Sequence, residues 1–144
     1  METSILKMSL TCKDTGTDIV VSFDQHVIWQ GDPGQNKTQQ ISHEFEDIDG
    51  EEHVLRIALS NKLPCHTKVD DQGNIVSDLL VDISQFLLES VNIDQLVWTS
   101  ATYHHDFNGT QSSTVERFFG NMGCNGQVEF RFTSPAYIWL LENT

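Results

Sequence analysis

The chain has 144 residues, 38% of them hydrophobic, which fits one domain able to bury a core without disulfide or metal staples. Eight Lys and Arg face 21 Asp and Glu, a formal charge of −13, which opposes binding to nucleic-acid phosphates or to anionic membranes. No apolar run approaches the roughly 20 residues that span a bilayer.

The start, Met1-Glu2-Thr3-Ser4, lacks a basic region followed by an apolar stretch, so the expectation is synthesis and folding in a cytoplasm. Cys12, Cys65 and Cys124 are odd in number and widely spaced. They form no C-x-x-C pair, which argues for reduced thiols rather than a zinc ribbon or redox site.

Period-two alternation begins at once. Leu6, Met8, Leu10 and Cys12 share one parity in residues 5–12, and Ile19, Val21 and Phe23 share one in residues 18–23. Asp24-Gln25 reads as a tight connection into His26-Val27-Ile28-Trp29, and Gly31-Asp32-Pro33-Gly34 as a loop. Residues 38–46 form the next strand, followed by an acidic loop, residues 46–52. His53, Leu55, Ile57 and Leu59 then alternate with polar and small residues, the clearest strand in the chain. A turn at 69–74 precedes an expected strand over 75–83 with Ile75, Leu79, Val81 and Ile83 inward. Residues 84–93 fit either a helical turn or a buried strand. Residues 96–103 read as strand from their β-branched and aromatic content. Residues 104–126 are polar and Gly-rich, with the hairpin signal Asn108-Gly109. Val128, Phe130 and Phe132 share a face in the following strand. Apolar residues of both parities close the chain at 136–141, which implies burial on both faces or a subunit interface through Tyr137 and Trp139. Nine or ten short strands, with no helix beyond about two turns, predict a single antiparallel β-sandwich over residues 1–144.

Chemistry-bearing motifs are sparse. Asp47, Asp49 and Glu51 alternate in one loop, Asp70 and Asp71 sit in a second and Asp106 and Asn108 in a third. Calcium favours such oxygen-rich loops, but none has the twelve-residue EF-hand pattern, and Asx-Gly loops also arise simply as turns. Asp78 and Asp82 share a parity about 13 Å apart on an extended strand, too far for a glycosidase pair. His104 and His105 are adjacent and face opposite ways on a strand. His53 heads an apolar face and fits a satisfied core histidine. No nucleophile elbow, zincin motif or phosphate-binding glycine loop is present. Among the aromatics, Trp29, beside the 31–34 loop, is the best placed for a sugar ring. The sequons at Asn36 and Asn108 are taken as coincidental.

Two resemblances bear on function. Val20-Val21-Ser22-Phe23-Asp24-Gln25-His26-Val27-Ile28-Trp29, residues 50–61 and Asp78-Leu79-Leu80-Val81-Asp82-Ile83 resemble the jelly-roll of calcium-dependent xylan-binding carbohydrate-binding modules. In that family a strand ends in Asn-Asp and a later strand carries Asp before an apolar pair, and those positions help to hold a calcium ion that engages sugar hydroxyls. The resemblance implies Asn61 and Asp78 as calcium ligands, while Lys62 stands where the family has Asp. Residues 66–70, 73–78, 103–109, 119–126 and 137–143 are also similar to small proteins of contractile-tailed phages, especially marine ones. That resemblance implies a virion protein made in the host cytoplasm, in a tail, fibre or head-decoration role.

The leading expectation is therefore a non-enzymatic virion module acting through contacts with itself or with other virion proteins. The first alternative is a glycan-binding module for host attachment, using Trp29, Asp47, Asp49, Asp71, Asp106 and Asn108 with calcium. The second alternative is an acidic inhibitor of a basic host protein.

Overall fold

Alternating burial along the strands closes two antiparallel sheets over one core. The computed structural model describes residues 2–13, 15–34, 38–106, 109 and 112–143. The strands are β1 (Thr3–Cys12), β2 (Asp18–Phe23), β3 (His26–Gly31), β4 (Gln39–Glu46), β5 (Glu52–Ser60), β6 (Thr67–Val69), β7 (Ile75–Asp78), β8 (Val81–Leu88), β9 (Val91–Asn92), β10 (Thr102–His105), β11 (Thr114–Arg117), β12 (Asn121–Met122) and β13 (Gly126–Thr133). Among the described residues, two α-helices accompany them, α1 (Asp94–Ser100) between β9 and β10 and α2 (Ala136–Asn143) after β13, with a single 3₁₀ turn at Pro64–His66.

One sheet runs β12-β8-β1-β4, with β9 added to β8, and the other runs β11-β10-β13-β5-β2-β3. Leu6, Met8 and Leu10 of β1 and Val81 and Ile83 of β8 join Leu55, Ile57 and Leu59 of β5 and Val128, Phe130 and Phe132 of β13 in one apolar cluster. The chain is thus the antiparallel β-sandwich that its alternation predicts. Asp24 and Gln25, at φ 50° and 73°, make the two-residue connection between β2 and β3. Residues 84–88 and 91–92 are strand, with β8 turning into β9 through Glu89 and Ser90, both at positive φ.

Three expectations need correction. The stretch 75–83 is not one strand: β7 ends at Asp78, β8 begins at Val81, and Leu79-Leu80 crosses between them. The β6–β7 hairpin is a separate two-stranded unit, so Ile75, expected inward, is 66% exposed, like its neighbour Val76 at 65%. The second correction concerns residues 96–103. Helix α1 occupies most of that stretch, because Ile93, Val97 and Ala101 recur every four residues and are all buried. Asp94 ties its first turn to β8, its carboxylate accepting from the Gln85 and Phe86 amides at 3.2 and 2.8 Å.

The third correction concerns residues 136–141. They show both parities because they are helical: Ala136 and Leu140 are buried, while Tyr137, Ile138 and Leu141 face outward. Trp139 packs edge-on against Phe130 and Phe132, at ring-centroid distances of 5.8 and 5.9 Å.

Candidate functional site

The residues singled out in the sequence lie in separate places. Trp29 is half-buried on β3, and its ring lies beside Gly31, where a Cβ would make an ordinary contact with it at 3.5 Å. Asp47 faces the start of α2 and accepts from the Ala136 amide at 3.0 and 3.3 Å, so it acts as a helix cap supplied by a distant loop. Asp49 is exposed in the same loop, and Asp71 is exposed at the tip of the β6–β7 hairpin. Asp106 receives the Gly109 amide at 2.9 Å. Asn108 lies outside the described residues, as do both sequon asparagines. Among the described residues, no three His, Cys, Asp or Glu side chains converge in a way that could hold a metal ion.

Asn61 and Asp78 do not fit calcium. The Asn61 amide donates to the Asp18 carboxylate. Asp78 Oδ1 accepts from Lys62 Nζ at 2.7 Å and from Thr67 Oγ1 at 2.7 Å. Lys62 is buried, at 5% exposure, and its ammonium lies where a divalent cation beside Asp78 would meet like charge. Partial burial raises the Asp78 carboxyl, but the hydrogen bonds from Lys62 and Thr67 outweigh it and hold the group below its ordinary value.

A second polar cluster has the hydrogen-bond order of a hydrolase triad. Asp24 Oδ2 lies 2.6 Å from His53 Nδ1, and His53 Nε2 lies 2.8 Å from Ser134 Oγ. The surroundings do not suit acyl transfer. His53 and Ser134 are 3% and 5% exposed, and the rings of Phe23, Phe45 and Phe132 surround the imidazole. The Ser134 amide donates to Glu51 O at 2.8 Å, the next residue is Pro135, which has no N–H, and the Ala136 N–H faces Asp47. No amide of residues 134–136 is left to face an oxyanion. The cluster instead pins the β2–β3 turn, β5 and the end of β13 to one another.

The concave surface lies at the other end of the sandwich, around β10 and β11 of this sheet and β12 of the other. A broad, shallow cleft of about 750 Å³ is lined by His104, His105, Asp106, Thr114, Asn125 and Gly126 among others. A smaller cleft of about 240 Å³ adjoins it through His105 and is lined by Glu116, Arg117, Phe119, Asn121, Gly123 and Cys124. Alternation on β10 buries His105 and exposes His104, as the sequence predicts. His105 Nε2 pairs with Glu116 Oε2 at 2.6 Å, and its ring packs on Tyr103 with centroids 4.5 Å apart. The close approach of β10 and β13 requires glycine at 126, since a Cβ there would lie 2.2 Å from His104 O.

Phe119 is the aromatic that the sequence reading missed. Its neighbour Phe118 is wholly buried, and Phe119 is 63% exposed at the mouth of the smaller cleft. Arg117 lies 4.8 Å over its ring and donates to Trp98 O at 3.1 Å. Gly120 follows at φ 103°, passing the Trp98 ring, and its carbonyl accepts from the Ile83 amide at 2.7 Å. The ring is therefore displayed on a segment fixed at both ends. A signal was present: two consecutive aromatics on an extended chain cannot both enter one core.

The floor of both clefts is the segment 123–125. The Tyr103 hydroxyl donates to Cys124 O and accepts from the Cys124 amide at 2.9 Å. Burial drives the Tyr103 phenol far above its ordinary value and also raises the Cys124 thiol, so neither group ionises readily near neutrality.

Comparison with known proteins adds a fold likeness. No protein-family model matches this chain, and no curated protein matches it. A solved structure of vCBM60, described within a study of two families of calcium-dependent carbohydrate binding modules, is similar over 88% of this chain and 89% of its own, with TM-score 0.54 and 9% identity. A second, vCBM60 in complex with galactobiose, is similar over 88% and 96%, with TM-score 0.51 and 9% identity. At that identity the likeness is one of fold alone, that of an antiparallel β-sandwich.

Proposed function

We propose that this chain is a non-catalytic glycan-binding module whose contact surface is the cleft at Phe119. The observation that carries the reading is an exposed aromatic ring, on a segment anchored at Arg117 and Gly120, among hydrogen-bonding groups: Glu116, Arg117 and Asn121 line the same cleft. A pyranose presents an apolar C–H face that packs on such a ring and hydroxyls that need polar partners around it. The fold likeness to carbohydrate-binding modules, one of them holding galactobiose, supports it.

The charge of −13 selects among glycans, because uronate-rich chains are repelled and neutral ones are not. Titration against neutral and uronate-rich polysaccharides tests the reading. Binding to at least one neutral chain is expected. Phe119→Ala should weaken it roughly ten-fold, equivalent to about 1.4 kcal/mol, with the melting temperature unchanged. Flat titrations with every neutral chain would overturn the proposal, and undiminished binding by Phe119→Ala would move the site elsewhere.

Assembly within a virion is the second reading. Its virion setting rests on the sequence resemblance alone, while assembly as such is favoured by exposed apolar side chains in two places: Tyr137, Ile138 and Leu141 on α2, and Val69, Ile75 and Val76 on the β6–β7 hairpin. The partner in that reading is a second copy, which solution mass tests, or another virion protein, which co-sedimentation with virion proteins tests.

A further inference from the structure

Lys62 is the deepest cation described in the chain, and its bonds converge on the floor of the clefts. Its Nζ donates to Asp78 Oδ1 at 2.7 Å and to the carbonyl of Gly123. Its backbone is clasped by one side chain: the Lys62 amide donates to Asn125 Oδ1 at 2.8 Å, and Asn125 Nδ2 donates to Lys62 O at 3.0 Å. Gly123 and Cys124 line the smaller cleft and Asn125 lines the larger. One residue therefore joins the end of β5, the end of β7 and the cleft floor.

A structural calcium ion does such work by drawing carboxylate and backbone carbonyl oxygens to a common centre. Here an ammonium group gathers a carboxylate oxygen and a backbone carbonyl oxygen instead. The two residues that the family resemblance assigns to calcium are Asn61, next to Lys62, and Asp78, bonded to it. A second positive centre at Asp78 would face the charge of a buried lysine 2.7 Å from the carboxylate oxygen it would need.

We propose that the Lys62 ammonium is a built-in cation that holds the 123–125 floor in place, so that this sandwich organises its clefts without calcium. A covalently tethered cation cannot dissociate, so the floor does not depend on external metal. The binding arm of the test rests on the glycan reading, whereas the melting and exchange arms do not.

The experiment compares wild type and Lys62→Met in thermal melts with calcium chloride or EDTA, together with amide hydrogen exchange. Wild type should melt at the same temperature in both solutions, and any neutral-glycan binding should survive EDTA. A calcium-specific rise in the wild-type melting temperature, or binding abolished by EDTA, would overturn the proposal. Lys62→Met leaves the Asp78 carboxylate without its counter-ion and should melt roughly 10 °C lower. Under native conditions the amides of Cys124 and Asn125 should lose protection while those of β1 and β8 keep theirs. Unchanged protection at Cys124 and Asn125 would equally overturn it. Should Lys62→Met fail to fold, the wild-type metal comparison still decides. Calcium-indifferent melting with no glycan bound would leave this inference standing and remove the glycan reading alone.

Discussion

His43 and His53 show how position decides what an imidazole does. His53 engages both ring nitrogens and stays within the aromatic end of the core. His43, on β4, packs its ring 4.7 Å from Phe23 and titrates below its ordinary value. Burial is the main cause; Asp24 pulls the other way, and His26 and His53 add to the lowering. The sign follows from which state binds the proton. Below the unfolded value of 6.5 the unfolded chain takes up a proton that folded His43 resists. This contribution to stability is therefore complete above that pH and is lost as the pH falls through the window beneath it. Melting temperature should fall between about pH 7 and pH 5, with a shallower slope in His43→Gln. Equal slopes in the two proteins would show that His43 does not contribute.

At the scale of elements, α2 depends on a loop 89 positions away in sequence. Its first amide donates to Asp47, and its inner face is only Ala136, Leu140 and the edge of Trp139. A helix of 8 residues has little stability of its own and needs both the cap and the packing. Asp47→Ala should cost about 1 kcal/mol, lowering the melting temperature by a few degrees. Asp47→Asn should retain most of it, because the amide oxygen still accepts. Equal losses in both variants would point to charge rather than capping. The same dependence explains why residues 96–103 read as strand: the local β preference of Val97 and Trp98 is real, but burial of Ile93, Val97 and Ala101 along one helical face outweighs it.

For the whole molecule, the two apolar surfaces decide between a monomer that binds glycan and a subunit of an assembly. A stable interface buries about 800 Å² on each partner, more than three helical side chains provide, so α2 would need the surfaces around it. Sedimentation over a range of concentrations measures this. In the assembly reading the mass exceeds one chain, and Ile138→Asp returns it to that of a monomer. A monomer at every concentration would end self-assembly, leaving only a different protein as partner, without touching the glycan reading. The net charge works against self-association, and raising the salt should strengthen any dimer whose patches are apolar.

Alternation alone determined the sandwich and much of its core, from Leu6 and Leu10 through Leu55 and Ile57 to Phe130. On an extended chain parity is geometry, and each buried residue announces its own side. The Asp24-Gln25 turn and the opposite orientations of His104 and His105 were legible for the same local reason. The helical ends at 94–100 and 136–143, the exposure of Ile75 and the break after Asp78 were not legible, because competition between distant segments for one core set them. The clefts belong to that second class. Phe119 becomes a platform only because Arg117, Trp98 and Gly120 fix it, and Lys62 becomes the internal cation only because folding sets Asp78 and Gly123 against it. These contacts join residues up to 61 positions apart, and no local pattern encodes them. Sequence could name Lys62 as a departure from a calcium-binding pattern, whereas only tertiary structure showed the lysine paired with the carboxylate that calcium would have needed.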